Sequence, residues 1–333
     1  MNLIIKNKFN LILIFFISAI LFNSCKNDVN LIAPNSREIP VVYGLLEANK
    51  STQYIRINKA FLTTSNTLTV AKDMSASNYV TDEIDVFIDS NDGKSIKLIR
   101  DTIHNKISGT FYSPDEIVYR ADNFKPVDKQ YTLRIVNKKS GNVFTANTNV
   151  ISKFDIDNLL VIQKVFGLEG SYAHNIKWFS SPYGRLYEVK LRFYYYETNI
   201  ITNVITRDSI DMSCGKVRSD NLTGGDEMSI GIYGTDFFKF LANNIKVNHD
   251  VKRSSPSLKF IFMVGTDDLN TYMMLNEPSN SIVQERPSFS NISNGGIGIF
   301  SSRYIYELKE KDFNSATLDS IKIGYYTKNL NFQ

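Results

Sequence analysis

Residues 187–196 read Tyr187-Glu188-Val189-Lys190-Leu191-Arg192-Phe193-Tyr194-Tyr195-Tyr196, and this stretch decides the fold class. Tyr187, Val189, Leu191, Phe193 and Tyr195 fall on one side of an extended chain, and Glu188, Lys190 and Arg192 on the other. Side chains of a strand alternate between faces. One face is therefore apolar and one is wet, as in an antiparallel sheet.

The same period of two recurs upstream. Ile55 and Ile57 alternate with Arg56 and Asn58 within Tyr54–Phe61. Ile84, Val86 and Ile88 oppose Asp85 and Asp89. Asn91-Asp92-Gly93 then supplies hairpin chemistry, and Ser95–Ile99 returns. Tyr131, Leu133 and Ile135 alternate with Thr132 and Arg134, Ser140-Gly141-Asn142 turns the chain, and Val143–Val150 comes back. Short strands joined by tight turns predict an immunoglobulin-like β-sandwich over 38–150.

The rest, 151–333, reads as a second β-rich domain with a few short helices, the boundary falling near Ser152–Asp157. Leu258–Val264 is apolar on both faces and predicts a central strand. Residues 279–303 are turn-rich and end in Ile-Gly-Ile-Phe. Ile321, Ile323 and Tyr325 predict a last strand. Thr235 is placed to cap a helix carrying Phe237, Phe238, Leu241 and Ile245 on one stripe. Asp267 or Asp268 is placed to cap another, with Leu269, Tyr272, Met273 and Leu275, stopped before Pro278.

A hydrophobic fraction of 43% is enough for a packed core. Lys6 and Lys8 precede an apolar run from Leu11 to Phe22 that ends at Asn23-Ser24-Cys25. The run is shorter than the roughly 20 residues of a spanning helix. Charge, short apolar run and small residue predict a signal peptide over 1–24. Its removal takes two lysines and no acid, so the formal charge of +4 falls to +2. With no basic stripe in the chain, nucleic acid is not an expected partner.

Leu21 and Ser24 ahead of Cys25 resemble a lipobox, although Phe22 and Asn23 depart from its strict form. The resemblance implies cleavage between Ser24 and Cys25 and acylation of the Cys25 thiol, with residues 25–37 as a polar tether. Each buried methylene of the acyl chains adds about 0.8 kcal/mol of membrane affinity. Lys26-Asn27-Asp28 partly resembles a surface-export signal. The face of the outer membrane, periplasmic or external, stays open.

The search for chemistry returns no catalytic residue, no metal site and no cofactor site. Cys214 is then the one other cysteine, so no intrachain disulfide is expected, and it reads as a packing residue. His104, His174 and His249 lack ligand spacing. Asp155-x-Asp157 lacks the rest of a calcium loop. Gly224-Gly225 and Gly295-Gly296-x-Gly298 read as turns at strand ends, since neither opens a helix after a strand. Glu188, Glu197 and Asp211 stand for the acids from which a dispersed glycosidase site could be built. The rings Trp178-Phe179 and Phe193–Tyr196 could stack on sugars, though sheet packing is the favoured reading.

A family resemblance gathers these segments. It rests on Cys25, Ile39-Pro40-Val41-Val42-Tyr43-Gly44-Leu45-Leu46, Tyr54-Ile55-Arg56-Ile57, Gly109-Thr110-Phe111-Tyr112, Tyr131-Thr132-Leu133-Arg134 and Phe289–Phe300 with its glycines. Together they resemble a Bacteroidota outer-membrane lipoprotein family known as a domain of unknown function. The resemblance implies an outer-membrane location, often near TonB-dependent transporters, and carries over no catalytic residue. Thr102, Ser209 and Ser320, each in an Asp-Ser/Thr-Ile triplet, resemble O-glycosylation acceptors of that phylum. The expected function is a non-catalytic binding or accessory role with an outer-membrane β-barrel. The alternatives are a surface glycan binder and a surface hydrolase with a dispersed site.

Overall fold

The computed structural model describes residues 39–60, 66–168, 170–277 and 288–333. In chain order the strands and helices begin with β1 (Pro40–Glu47), β2 (Gln53–Lys59), α1 (Thr67–Val70) and α2 (Met74–Ser77). Next come β3 (Ile84–Ser90), β4 (Ser95–Lys97), β5 (Ile99–Ile103), β6 (Glu116–Ala121), β7 (Gln130–Asn137) and β8 (Val143–Asn149). The chain continues through α3 (Asn158–Ile162), β9 (Val165–Phe166), β10 (Ala173–Phe179), β11 (Leu186–Asn199), β12 (Ile205–Arg218) and β13 (Glu227–Tyr233). It closes with α4 (Gly234–Asn244), β14 (Val251–Gly265), α5 (Asp267–Asn276), β15 (Ile297–Glu307), β16 (Lys311–Phe313) and α6 (Ser315–Ile323). The protein is mainly β, with several sheets and short helices.

One ten-stranded sheet runs β12-β11-β14-β15-β1-β2-β6-β5, with β16 attached to β14 and β9 to β16. A four-stranded sheet, β4-β3-β7-β8, faces its β1-β2-β6 part. The inward residues of both sheets, among them Val42, Ile55, Val86 and Leu133, share one buried cluster. A second cluster forms where Leu191, Phe193 and Tyr195 of β11 meet Trp178, Phe237, Phe313 and Ile321. Burying one such side chain contributes about 1.5–3 kcal/mol, so the two clusters dominate stability. The segments 38–150 and 151–333 contribute strands to the same large sheet. β1 pairs in parallel with β15, from Val41 opposite Ile297 to Glu47 opposite Arg303.

Strand β11 has the alternation read from its sequence, and β14 is central, flanked by β11 and β15. Four local readings change. The return after Asn91-Asp92-Gly93 is split: Ser95–Lys97 pairs with β3, Leu98 is buried, and Ile99–Ile103 crosses to pair with β6. The last expected strand is helix α6. Its Asn314 side chain accepts from Thr317 N, and Thr317 and Ile321, four apart, are buried. Ile323 and Tyr325 are instead 78% and 83% exposed. Helix α4 starts one residue before Thr235, with Tyr233 at its cap position and no side-chain cap. Helix α5 is capped by Thr266, which leaves Asp267 and Asp268 in the first turn, where carboxylates favour the helix dipole. Cys25, Ser24, the tether, Phe61 and Pro278 lie outside the described residues.

Candidate functional site

The outer face of the β1–β2 hairpin carries two adjoining concavities. Period two turns Val42 and Leu46 into the core and leaves Val41, Tyr43 and Leu45 outside; Tyr54, Arg56 and Asn58 of β2 face the same way. Tyr43 lies directly opposite Arg56. The Arg56 guanidinium stands 5.9 Å from the centre of the Tyr43 ring, and Tyr272 of α5 meets that ring edge-on at 6.4 Å. Burial, then a hydrogen bond to Tyr43, pushes the Tyr272 phenol up to about 12.

Tyr43 separates two cavities. The first, of about 480 Å³, lies between this face and the 104–115 loop and is lined by Tyr43, Arg56, Asn58, Lys106, Phe111 and Tyr112. The loop is fixed by Lys106 N donating to Pro114 O (2.8 Å), Tyr112 N to Ala71 O (3.0 Å) and Lys106 Nζ to Tyr112 O (3.1 Å). Charges on the floor are compensated. Arg56 contacts Glu116 at 2.8 Å and donates Nε to Asn58 (2.7 Å), and Asn58 donates to Asn78 (2.8 Å).

The second cavity, of about 450 Å³, runs from Tyr43 and Tyr54 to Glu47, Leu269, Tyr272 and Arg303. Glu47 is buried, and its carboxylate contacts Arg303 (2.8 Å) and Lys50 (3.1 Å). Gln53 locks the turn by accepting from Glu47 N (2.9 Å) and donating to Lys50 O (2.8 Å). Arg303 Nε is buried with no hydrogen-bond partner. Three rings at this groove remain half in solvent: Tyr43 (43% exposed), Tyr54 (47%) and Phe111 (51%). Such a surface offers π-faces for stacking between fixed amide, guanidinium and carboxylate groups.

The other sequence candidates are dispersed. Trp178, Phe193 and Tyr195, three of the six candidate sugar-stacking rings, are buried in the second core, whereas Phe179 is 47% exposed. Tyr194 and Tyr196 lie on the opposite face, under Arg207 at 4.3 and 5.8 Å. Glu188 pairs with Lys190, Glu197 with Arg253, and Asp211 with Arg192. Asp157 caps α3 through Leu159 N, which gives that half of Asp155-x-Asp157 a structural role. Burial pushes the Cys214 thiol up to about 12, and its side chain packs against the second core. His104 bonds Asp115 at 2.8 Å, while His174 lies beside Tyr172 and Phe166. Among the described residues no three His, Cys, Asp or Glu side chains converge as a metal site.

Thr102 lies on β5 and Ser209 on β12, the two edges of the large sheet. Ser320 sits in α6 with Oγ donating to Ala316 O (2.9 Å). The motif Gly295-Gly296-x-Gly298 is a turn followed by close strand contact. Gly295 has φ +76°, and a Cβ on Gly298 (φ +108°) would lie 2.0 Å from Val42 O. The groove was hidden from sequence reading because Tyr43, Phe111 and Tyr272 come from three distant segments. The exposed position of Tyr43 between inward Val42 and Gly44 was the available signal.

No family model matches the chain, and no curated protein matches it. Among solved structures it is similar to the C-terminal globular domain of an oligosaccharyltransferase from Pyrococcus abyssi. The identity is 8% and the TM-score 0.27, and the match covers 84% of this chain and 49% of that one. The chain thus spans about half the length of that relative, at a level of likeness that carries no argument.

Proposed function

We propose that this protein is an outer-membrane lipoprotein, anchored through acyl chains on Cys25, whose body binds a β-barrel partner without catalysis. The observation that carries the binding role is the groove around Tyr43, with exposed rings and compensated charges. The anchor rests on the leader and lipobox, and the barrel partner on the resemblance to lipoproteins found near TonB-dependent transporters. Among the described residues, no helix is long and apolar enough to cross a membrane.

A binding role also agrees with the electrostatics. Among the described residues, the carboxyl groups whose ionisation is clearly displaced, Asp85, Asp89, Asp211, Glu277 and Glu310 among them, are held below their usual range. That is opposite to the shift a general acid needs. A mild-detergent pull-down of the tagged chain from native outer membranes tests the proposal, with Cys25→Ala and Tyr43→Ala/Phe111→Ala as comparisons. A stoichiometric barrel lost from both variants is expected. Recovery of the lipoprotein alone would sink the accessory role.

Glycan binding is the second reading, and the half-exposed Tyr43 and Phe111 beside Asn58 and Asn78 favour it. Titration calorimetry with hits from a glycan array separates it from the first. Heat lost in the Tyr43→Ala variant supports it, and an array without hits removes it.

A further inference from the structure

We propose that strand β12 is a self-association edge, along which two copies of this chain pair antiparallel about a twofold axis at Ser209. Among the described residues, β12 ends the ten-stranded sheet and pairs with β11 alone. The phase of that ladder is set by Asn199 N donating to Val204 O (3.0 Å) at the hairpin end and Ser219 N donating to Arg185 O (2.9 Å) at the other. Every second pair of an antiparallel ladder exchanges hydrogen bonds. Odd-numbered residues of β11 therefore face β12, and Thr206, Asp208, Ile210 and Met212 answer them. Ile205, Arg207, Ser209, Asp211 and Ser213 turn their N–H and C=O groups outward, and all five are exposed. The Ser209 N–H meanwhile rests on the carboxylate of its neighbour Asp208 (2.7 Å), a local substitute for a strand partner.

An open edge is a template for another strand, and proteins blunt edges with lysine, proline, bulges or a covering loop. The four-stranded sheet uses the last device on β8: Ser293 N donates to Thr145 O, and the Asn294 amide to Val143 O. Among the described residues no loop covers 205–213, and the charges this stretch carries are of both signs, Arg207 against Asp208 and Asp211. The stretch contains no lysine or proline, and the bulge of this hairpin lies beyond it, opposite Val189/Lys190.

Charge selects both the occupant and the register. With Ser209 facing Ser209 of a second copy, Arg207 faces Asp211 twice, and all outward backbone groups from 205 to 213 meet in phase. That gives roughly ten backbone hydrogen bonds, two for each of five facing pairs. Registers centred on residue 207 or 211 would set like charges face to face, which is destabilising. On the same face Arg207 already holds Glu310 (2.6 Å) and Arg192 holds Asp211 (2.6 and 2.8 Å). Pairing extends these into the alternating row Glu310–Arg207–Asp211–Arg192 across the interface, with the second half supplied by the other copy.

The test is native mass spectrometry and sedimentation of the full lipidated chain in detergent, with intact mass showing Ser209 unmodified in the species measured. The wild type is expected as a dimer. Arg207→Asp and Asp211→Arg should each raise the dimer dissociation constant at least tenfold, and the double exchange R207D/D211R, which keeps the cross-interface pairs but leaves Glu310 and Arg192 beside like charges, should bring it part of the way back. Circular dichroism identifies any variant that fails to fold, and the double exchange then decides. A monomeric wild type, a dimer indifferent to the charge reversals, or a different protein seated on β12 overturns the proposal. The groove around Tyr43 is not altered by these variants, so the pull-down outcome is independent.

Discussion

Asp89 on β3 and Arg134 on β7 form a two-point contact, with Nε and Nη2 donating at 2.7 and 3.2 Å, and the guanidinium also lies over the Phe87 ring at 4.2 Å. Arg134, then Ser95, holds the Asp89 carboxyl below its usual range against the opposing cost of burial. A carboxyl whose folded pKa is depressed contributes stability above its unfolded pKa, near 4, and loses it as pH falls through the folded value. Asp89→Asn should therefore cost about 1 kcal/mol at pH 7, discounted for partial exposure, and less at pH 2. Urea melts at the two pH values check this, and an equal loss at both would refute the linkage. In the second core, Phe193 has ring neighbours Phe237, Phe313 and Phe332 within 6.0 Å. Phe193→Ala should cost about 3–5 kcal/mol, read as a lowered denaturant midpoint with an unchanged slope.

At the scale of elements, what was legible depended on how many consecutive residues share one rule. β11 alternates over residues 187–195 and was readable without help; β2, β3 and β7 follow the same logic. Ile321-x-Ile323-x-Tyr325 offered three residues, too few to separate a period of two from chance. The competing signal was Asn314 followed by Thr317 and Ile321, a cap and a helical spacing. Asn314→Ala should remove the bond to Thr317 N and cost about 1 kcal/mol, measured by thermal melts with Asn314→Ser as the control that keeps a capping oxygen. The switch at Leu98 was illegible for another reason. Ser95–Ile99 reads as one returning strand, and what divides it between two sheets is the burial of Leu98 against residues far off in sequence. The groove shares that cause, since its rings become neighbours through β1–β2 pairing and the docking of α5.

At the scale of the molecule, the two sequence segments are joined by backbone pairing. β1 lies between β2 of its own segment and β15 of the other, so the large sheet cannot be divided there without breaking a ladder. Phe300 of β15 and Ile292 before it complete the first core. Unfolding should accordingly be one cooperative transition in calorimetry. Gly298 is the position at which this coupling is most exposed to a single atom. Its backbone has φ +108°, which side chains beyond glycine avoid, and an added Cβ would meet Val42 O at 2.0 Å. Gly298→Ala must therefore shift β15 away from β1 exactly where Val42 pairs with it. The expected cost is about 2–4 kcal/mol, concentrated on the joint and not on either core. The predicted signature is specific: the single wild-type peak separates into two, with the 38–150 core melting first because it loses Phe300 along with its edge partner. A variant that lowers the midpoint and keeps one peak would show that the cores are coupled elsewhere, through the contacts of β8 with the 291–296 turn. Two peaks already present in the wild type would mean that the β1–β15 ladder does not couple the halves at all.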